Sequence, residues 1–197
     1  EFNEFFGNLL QLRRQDPHED IISDVATAEV NDEMLNEAEM LSMLQQFLVA
    51  GNETTTKLLT NLMHHLAEED GLEERLREDP SLIDNFIEEG LRFEAPVGGL
   101  FRMAKEDTMV GETQLREGDH IWLIFAAANR DPDMFSQPDT FSVDRENARD
   151  HLAFGHGEHF CIGAMLARLE ARIAVEQILE RLQNIRLIDG RNNFEYL

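Results

Sequence analysis

The 197 residues carry 40 acidic side chains against 17 basic ones, a formal net charge of −23. That excludes a surface built to neutralise nucleic-acid phosphates, which needs clustered Lys and Arg. The longest apolar run, residues 121–128, is eight residues, far short of the roughly 20 that a membrane-spanning helix needs. A single cysteine excludes an internal disulfide and fits a reducing, cytoplasmic compartment.

The chain starts without Met, already inside an apolar pattern of Phe2, Phe5, Phe6, Leu9 and Leu10, and it stops at FEYL, which has the look of mid-strand. It reads as a piece of a longer polypeptide. The apolar spacing predicts a helix over 2–14, then a loop in which Pro17 holds Asp16 out of the helical region. A short helix over 20–27 follows. Asn31 is the expected N-cap of a long helix to about Glu68, with Asp32 and Glu33 favourable in its first turn. Glu69, Asp70 and Gly71 break it. A short acidic helix runs to about Glu78, and Asp79 caps a further helix with Pro80 at its first position, ending at Arg92 or Phe93.

The middle of the chain reads as short strands, MVGETQL and REGDHIWLIF, joined by Gly-containing turns. Residues 129–147 form a long irregular segment with two prolines, and such loops in compact domains usually carry function. A Gly- and His-rich stretch follows, then a long amphipathic helix over 162–182 and a hairpin turning near Asp189 and Gly190. The fold class is mainly α with a minor β region.

Two stretches conflict with simple helix formation. AGNETTTK, residues 50–57, sits at the centre of the long helix, although Gly costs about 1 kcal/mol relative to Ala in a helix interior and Thr adds smaller costs. It is either a break between two ordinary helices or a functional interruption. The second stretch holds Cys161, just before a helix and after Gly155 and Gly157. A helix N-terminus favours a nucleophilic or metal-ligating thiol, and the glycines let backbone approach a flat ligand. The His spacings near it make no usual zinc pattern. A protease nucleophile and an inert loop cysteine stay open on these residues alone.

FGHGEHFCIG, residues 154–163, resembles the haem-binding loop of the cytochrome P450 family, Phe-Gly-x-Gly-x-His-x-Cys-x-Gly, at every fixed position. Glu89-Gly90-Leu91-Arg92 is similar to that family's Glu-x-x-Arg pair, and Arg145 in FSVDREN matches the later Arg of its ion-pair network. Residues 128–141 resemble the segment before the haem loop in bacterial members. AGNETTTK is similar to the family's distal helix, Ala-Gly-x-Glu/Asp-Thr-Thr.

The resemblance implies that residues 1–197 are the C-terminal, helix-rich, haem-binding part of the cytochrome P450 fold, incomplete at both ends, with the N-terminal portion and final strand absent. It implies a haem-thiolate monooxygenase that hydroxylates a small hydrophobic substrate with O2. Haem b (iron protoporphyrin IX) would be the cofactor, with Cys161 as the axial iron ligand. Arg102 and His159 would face the haem propionates, and Phe154, Gly155, Gly163, Ala50 and Gly51 would line the haem. Glu53 and Thr54 would be the catalytic acid–alcohol pair, in a locally widened stretch of helix. Leu48, Val49, Ala50, Val97, Gly98, Gly99 and Leu100 would contact substrate, although the glycine pair reads equally as a turn. Glu89, Arg92 and Arg145 would form a structural network.

Electrons would come from a ferredoxin-type donor and its reductase, for which Arg168 and Arg172 are candidate docking charges or else solvated surface. A non-oxygenating haem-thiolate protein is the alternative. As a haem sensor it has no use for the Glu53–Thr54 pair, and as a peroxygenase or dehydratase it usually lacks that pair.

Overall fold

The computed structural model describes residues 1–188 and 190, which fall into two compact units, residues 1–53 and 54–197. In the first, α1 (Phe2–Gln15) and α2 (Ile21–Ala26) are joined by a loop. Asp20 Oδ1 accepts the Ser23 N–H at 2.8 Å and caps α2, while Arg13 Nε donates to Asp20 Oδ2 at 2.7 Å. The Ser23 backbone bond first, and then Arg13, hold the Asp20 carboxyl down at about 2. Leu10, Val25, Ala26, Met40 and Leu44 make the buried core of this unit, with Phe2, Phe6 and Phe47 packed against it.

Asn31 does not cap the long helix. It and Asp32 both take positive φ, 54° and 64°, between β1 (Glu29–Val30) and β2 (Glu33–Met34), which pair antiparallel. This is the two-residue hairpin turn that Asn and Asp favour. The cap is Asn36: its Oδ1 accepts the Glu39 N–H at 3.0 Å, and Glu39 Oε2 accepts the Asn36 N–H at 2.8 Å. That reciprocal pair starts α3 (Glu37–Glu68) five residues later than Asp32. The helix then continues as α-helix through AGNETTTK, with no π turn there, so the expected widening is not a feature of this helix.

The second unit is built on the end of α3. Packed with it are α4 (Leu72–Glu78), α5 (Ile83–Phe93) and α7 (Ala164–Arg181). Pro80 opens a single 3-10 turn ahead of α5 rather than the α-helix itself, with Asp79 accepting the Ser81 N–H at 3.1 Å. The core draws Leu58, Leu62 and Leu66 from α3, Phe86, Ile87 and Leu91 from α5, and Ala171, Val175 and Leu179 from α7. Gly90 lets α5 come close: a Cβ there would lie 2.5 Å from Leu62 Cδ2. Expected to be amphipathic, α7 is apolar on two faces. Val175 and Leu179 are buried, while Met165, Leu166, Leu169 and Ile173 are exposed.

Two antiparallel pairs make the β region. β4 (Thr108–Val110) and β5 (Thr113–Leu115) form a hairpin around Gly111, whose φ is +58°. β3 (Leu100–Met103) pairs with β6 (His120–Leu123), so that Phe101 lies opposite Trp122 and their rings stack at 5.8 Å. The pairing of β3 was not legible in the local pattern. A single turn, α6 (Phe125–Ala128), leads into residues 129–147, which contain no α-helix or strand. The hairpin expected near Asp189, and the strand expected in FEYL, lie outside the described residues. No helix among the described residues is long and apolar enough to cross a membrane.

Candidate active site

Two adjacent carboxylates on α5 organise the second unit. Glu89 and Arg92, one turn apart, are both 0% exposed. Arg92 donates to Glu89 through Nε at 2.7 Å and Nη2 at 2.8 Å, and Arg145 Nε reaches the same carboxylate at 3.0 and 3.1 Å. Burying charge is costly unless every donor and acceptor is used, and here they are used on the irregular segment. Arg92 donates to the carbonyls of Asn129 (2.8 Å) and Pro138 (2.9 Å), and Arg145 to those of Ser136 (2.6 Å) and Thr140 (2.9 Å). Residues 129–147 hold their course without ladders because two guanidinium forks replace the ladder partners.

The other carboxylate, Glu88, belongs to the cysteine loop. Arg168 of α7 donates to it at 2.6 and 3.0 Å, and His151 Nε2 lies 3.1 Å away. Burial pushes Glu88 up, but the hydrogen bonds and charges of His151 and Arg168 outweigh it and leave the carboxyl at about 2. Sequence reasoning did not single out Glu88 or His151. The available signal was a second acid on the buried side of a helix, which demands a cation elsewhere in the chain.

Cys161 is exposed on a braced loop. Its N–H donates to the Phe154 carbonyl at 2.9 Å and its carbonyl accepts from Ala164 at 3.2 Å. Gly155 has φ +72°, where any other residue is strained, and Gly163 is the N-cap of α7, two residues beyond the thiol. Its neighbours in the chain, Phe160 and Ile162, are 51% and 88% exposed. No group of three or more His, Cys, Asp or Glu that could hold a metal ion occurs among the described residues. Cys161 is the residue that the resemblance to the haem-binding loop would make the iron ligand, and it is exposed. Exposed Phe160 and Ile162, flanking Cys161 in the chain, suit a flat apolar macrocycle. A haem fits these residues.

His159 and Arg102 are exposed, and Arg102 Nη1 donates to the Phe101 carbonyl at 2.9 Å. On α3, Leu48, Val49, Ala50, Gly51 and Glu53 are exposed and Thr54 is half-buried; a Cβ on Gly51 would meet nothing within 4 Å. After α5, Val97 is half-buried and Gly98 and Leu100 are exposed. Gly99 is different: a Cβ there would lie 2.5 Å from the Leu123 carbonyl oxygen, so its smallness serves the approach to β6 rather than open space. Arg168 and Arg172 do not form a free basic patch. Arg168 is spent on Glu88, and Arg172 pairs with Asp84 at 3.0 Å and Glu176 at 2.9 Å.

The family model for Cytochrome P450 matches residues 2–185. The chain is 42% identical over 184 residues to the putative cytochrome P450 YjiB of Bacillus subtilis, covering 93% of this chain and 46% of that one. It is 38% identical over 187 residues to a steroid C26-monooxygenase of Mycobacterium tuberculosis, covering 95% and 50%. The solved structure of the cytochrome P450 CYP150A6 from Mycobacterium marinum, substrate-free, superposes with a TM-score of 0.91 at 38% identity, over 96% of this chain and 47% of that one. The helix-rich fold is thus shared with cytochromes P450. The chain belongs to the cytochrome P450 family and carries part of that fold; it spans about half the length of the curated relatives it matches.

Proposed function

We propose that this chain supplies the haem-binding part of a monooxygenase that inserts one atom of O2 into a small hydrophobic substrate as a hydroxyl group. Two electrons and two protons reduce the other oxygen atom to water. The electrons come singly from a ferredoxin-type donor and its reductase. The observation that carries this reading is Cys161: the only thiol of the chain, exposed, braced through its backbone and flanked in the chain by exposed Phe160 and Ile162.

Haem b, when bound, supplies the O2 chemistry, while the protein supplies ligation, proton delivery and exclusion of water. Cys161 would be the residue that holds the iron, through Sγ. Arg102 and His159 offer donors to the haem carboxylates. Phe154, Gly155 and Gly163 shape the loop, and Ala50 and Gly51 keep the α3 surface low enough for O2. Thr54 Oγ1 hands on a proton and the Glu53 carboxyl, which is exposed, restores it from solvent. Leu48, Val49, Val97, Gly98 and Leu100 favour an apolar substrate, in keeping with a relative named for its action on steroids; Gly99 contributes by letting β3, which begins at Leu100, approach β6. Glu89, Arg92 and Arg145 hold the frame.

The test is product analysis. The full-length protein, a ferredoxin, its reductase and a panel of steroids and fatty acids are incubated under isotopically labelled O2. One labelled oxygen in a hydroxylated product is expected. Unlabelled product, or product formed only with added peroxide, would move the protein to the peroxygenase reading.

A further inference from the structure

We propose that Glu88, His151 and Arg168 form a positioning network that fixes the Cys161 loop and so sets how strongly the Cys161 thiolate binds and donates to iron. The inference rests on the reading of Cys161 as the haem ligand and goes beyond the network of Glu89, which serves a different part of the chain.

The two carboxylates are neighbours in sequence but about 100° apart around α5, and they hold different segments. Glu89 reaches Arg145 and the residues before it. Glu88 reaches the two ends of the cysteine loop. His151 stands three residues before Phe154, and Arg168 stands seven residues after Cys161, on α7. One carboxylate therefore ties both ends of residues 151–168 to the same point on α5, with Arg149 Nε a further 3.4 Å contact from outside.

The path from this knot to the thiol is short and made of contacts. The Arg168 guanidinium carbon lies 4.6 Å from the centre of the Phe154 ring, over its face. The His151 ring lies 5.8 Å from the same ring. The Phe154 carbonyl accepts the Cys161 N–H at 2.9 Å. His151 is oriented as well as held: its Nδ1 accepts the Ala153 N–H at 3.1 Å, which places the ring hydrogen on Nε2, facing Glu88. Glu88 is 1% exposed and so exchanges none of these bonds with water. Outer-shell partners of a metal ligand act in this manner, by orienting the group that binds the metal, and removing one typically costs on the order of 10–100-fold in affinity.

A role in stability alone predicts something different from a role in positioning, and full-length holoprotein distinguishes them. Glu88→Gln keeps the volume and removes the charge. Arg168→Lys keeps the charge but loses the planar group over Phe154. Arg172→Gln is the control, since it breaks ion pairs on the same helix that lead to Asp84 and Glu176 and not to the loop.

In the reduced carbon monoxide complex, both loop variants are expected to convert part of the red-shifted Soret band to the shorter-wavelength band of a protonated or displaced thiol. Their haem potential is expected to move positive, and haem transfer to a scavenging apoprotein to quicken by about tenfold or more. Arg172→Gln leaves all three unchanged. If Glu88→Gln does not fold, Arg168→Lys decides. Loop variants that melt earlier but keep the parent band and potential would overturn the proposal. A parent protein without the red-shifted band would overturn the reading of Cys161 beneath it, and the proposal with it.

Discussion

Arg145 reaches across 56 residues to place its Nε 3.0 Å from a Glu89 carboxylate that is wholly buried and already holds Arg92. The remaining donors of both guanidinium groups are taken up by backbone carbonyls of a segment that has no ladder of its own.

Removing the carboxylate leaves two guanidinium groups without their counter-charge. Glu89→Ala is expected to cost about 3–5 kcal/mol, the usual penalty for breaking a buried pair from one side, which is a large part of a domain's total stability. Denaturant unfolding of the full-length protein checks this. A loss under about 1 kcal/mol would show that water replaces the carboxylate.

His65 makes stability depend on pH. Its ring stacks on Phe141 at 4.0 Å, edge-on to Phe93 at 5.4 Å, and neither ring nitrogen has a hydrogen-bond partner. Burial, then the charge of neighbouring His64, pushes it from 6.5 to about 4. The unfolded chain therefore binds this proton more readily, and stability falls as pH drops below 6.5, by about 3 kcal/mol once pH passes 4. His65→Phe keeps the stack and is expected to flatten the stability curve between pH 6.5 and 4. An unchanged slope would assign the acid sensitivity elsewhere.

Glu88 acts in a lower window. Its carboxyl is held at about 2 in the folded state, so its contribution is complete above the unfolded value of 4.5 and is lost as pH falls through 2. Glu88→Gln should therefore narrow the stability difference from the parent as pH is lowered from 5 to 2. A constant difference over that range would deny Glu88 its ionic role.

Thr54→Ala removes the hydroxyl that moves protons in the proposed reaction. Electron consumption is expected to continue while product falls and hydrogen peroxide rises. Unchanged product per electron pair would take Thr54 out of the proton path.

How much of this was legible in the sequence depends on how far the partners lie apart. The C-terminal end of α5 and the Glu89–Arg92 spacing are local, and residues a few positions apart suffice to read them. Asn31 and Asn36 both precede acids. The choice between them was made by a two-residue turn with positive φ at Asn31 and Asp32, which competes with the cap for the same residue types. β3 was missed because four residues acquire strand character only from partners 17 to 23 positions on. Glu88 was missed for the same reason at greater range, its partners standing 63 and 80 residues away. Arg168 and Arg172 resembled free surface charge because nothing in their own helix names Glu88 or Asp84.

The measurement closest to the central claim is the absorption spectrum of the reduced, carbon monoxide-bound full-length protein, recorded for the parent and for Cys161→Ser. The account predicts a strongly red-shifted Soret band in the parent and its complete loss in the variant, with helical content unchanged because Cys161 is exposed and its loop is braced through the backbone. A parent band at the position of a histidine-ligated haem, or a red-shifted band that survives the substitution, would contradict it.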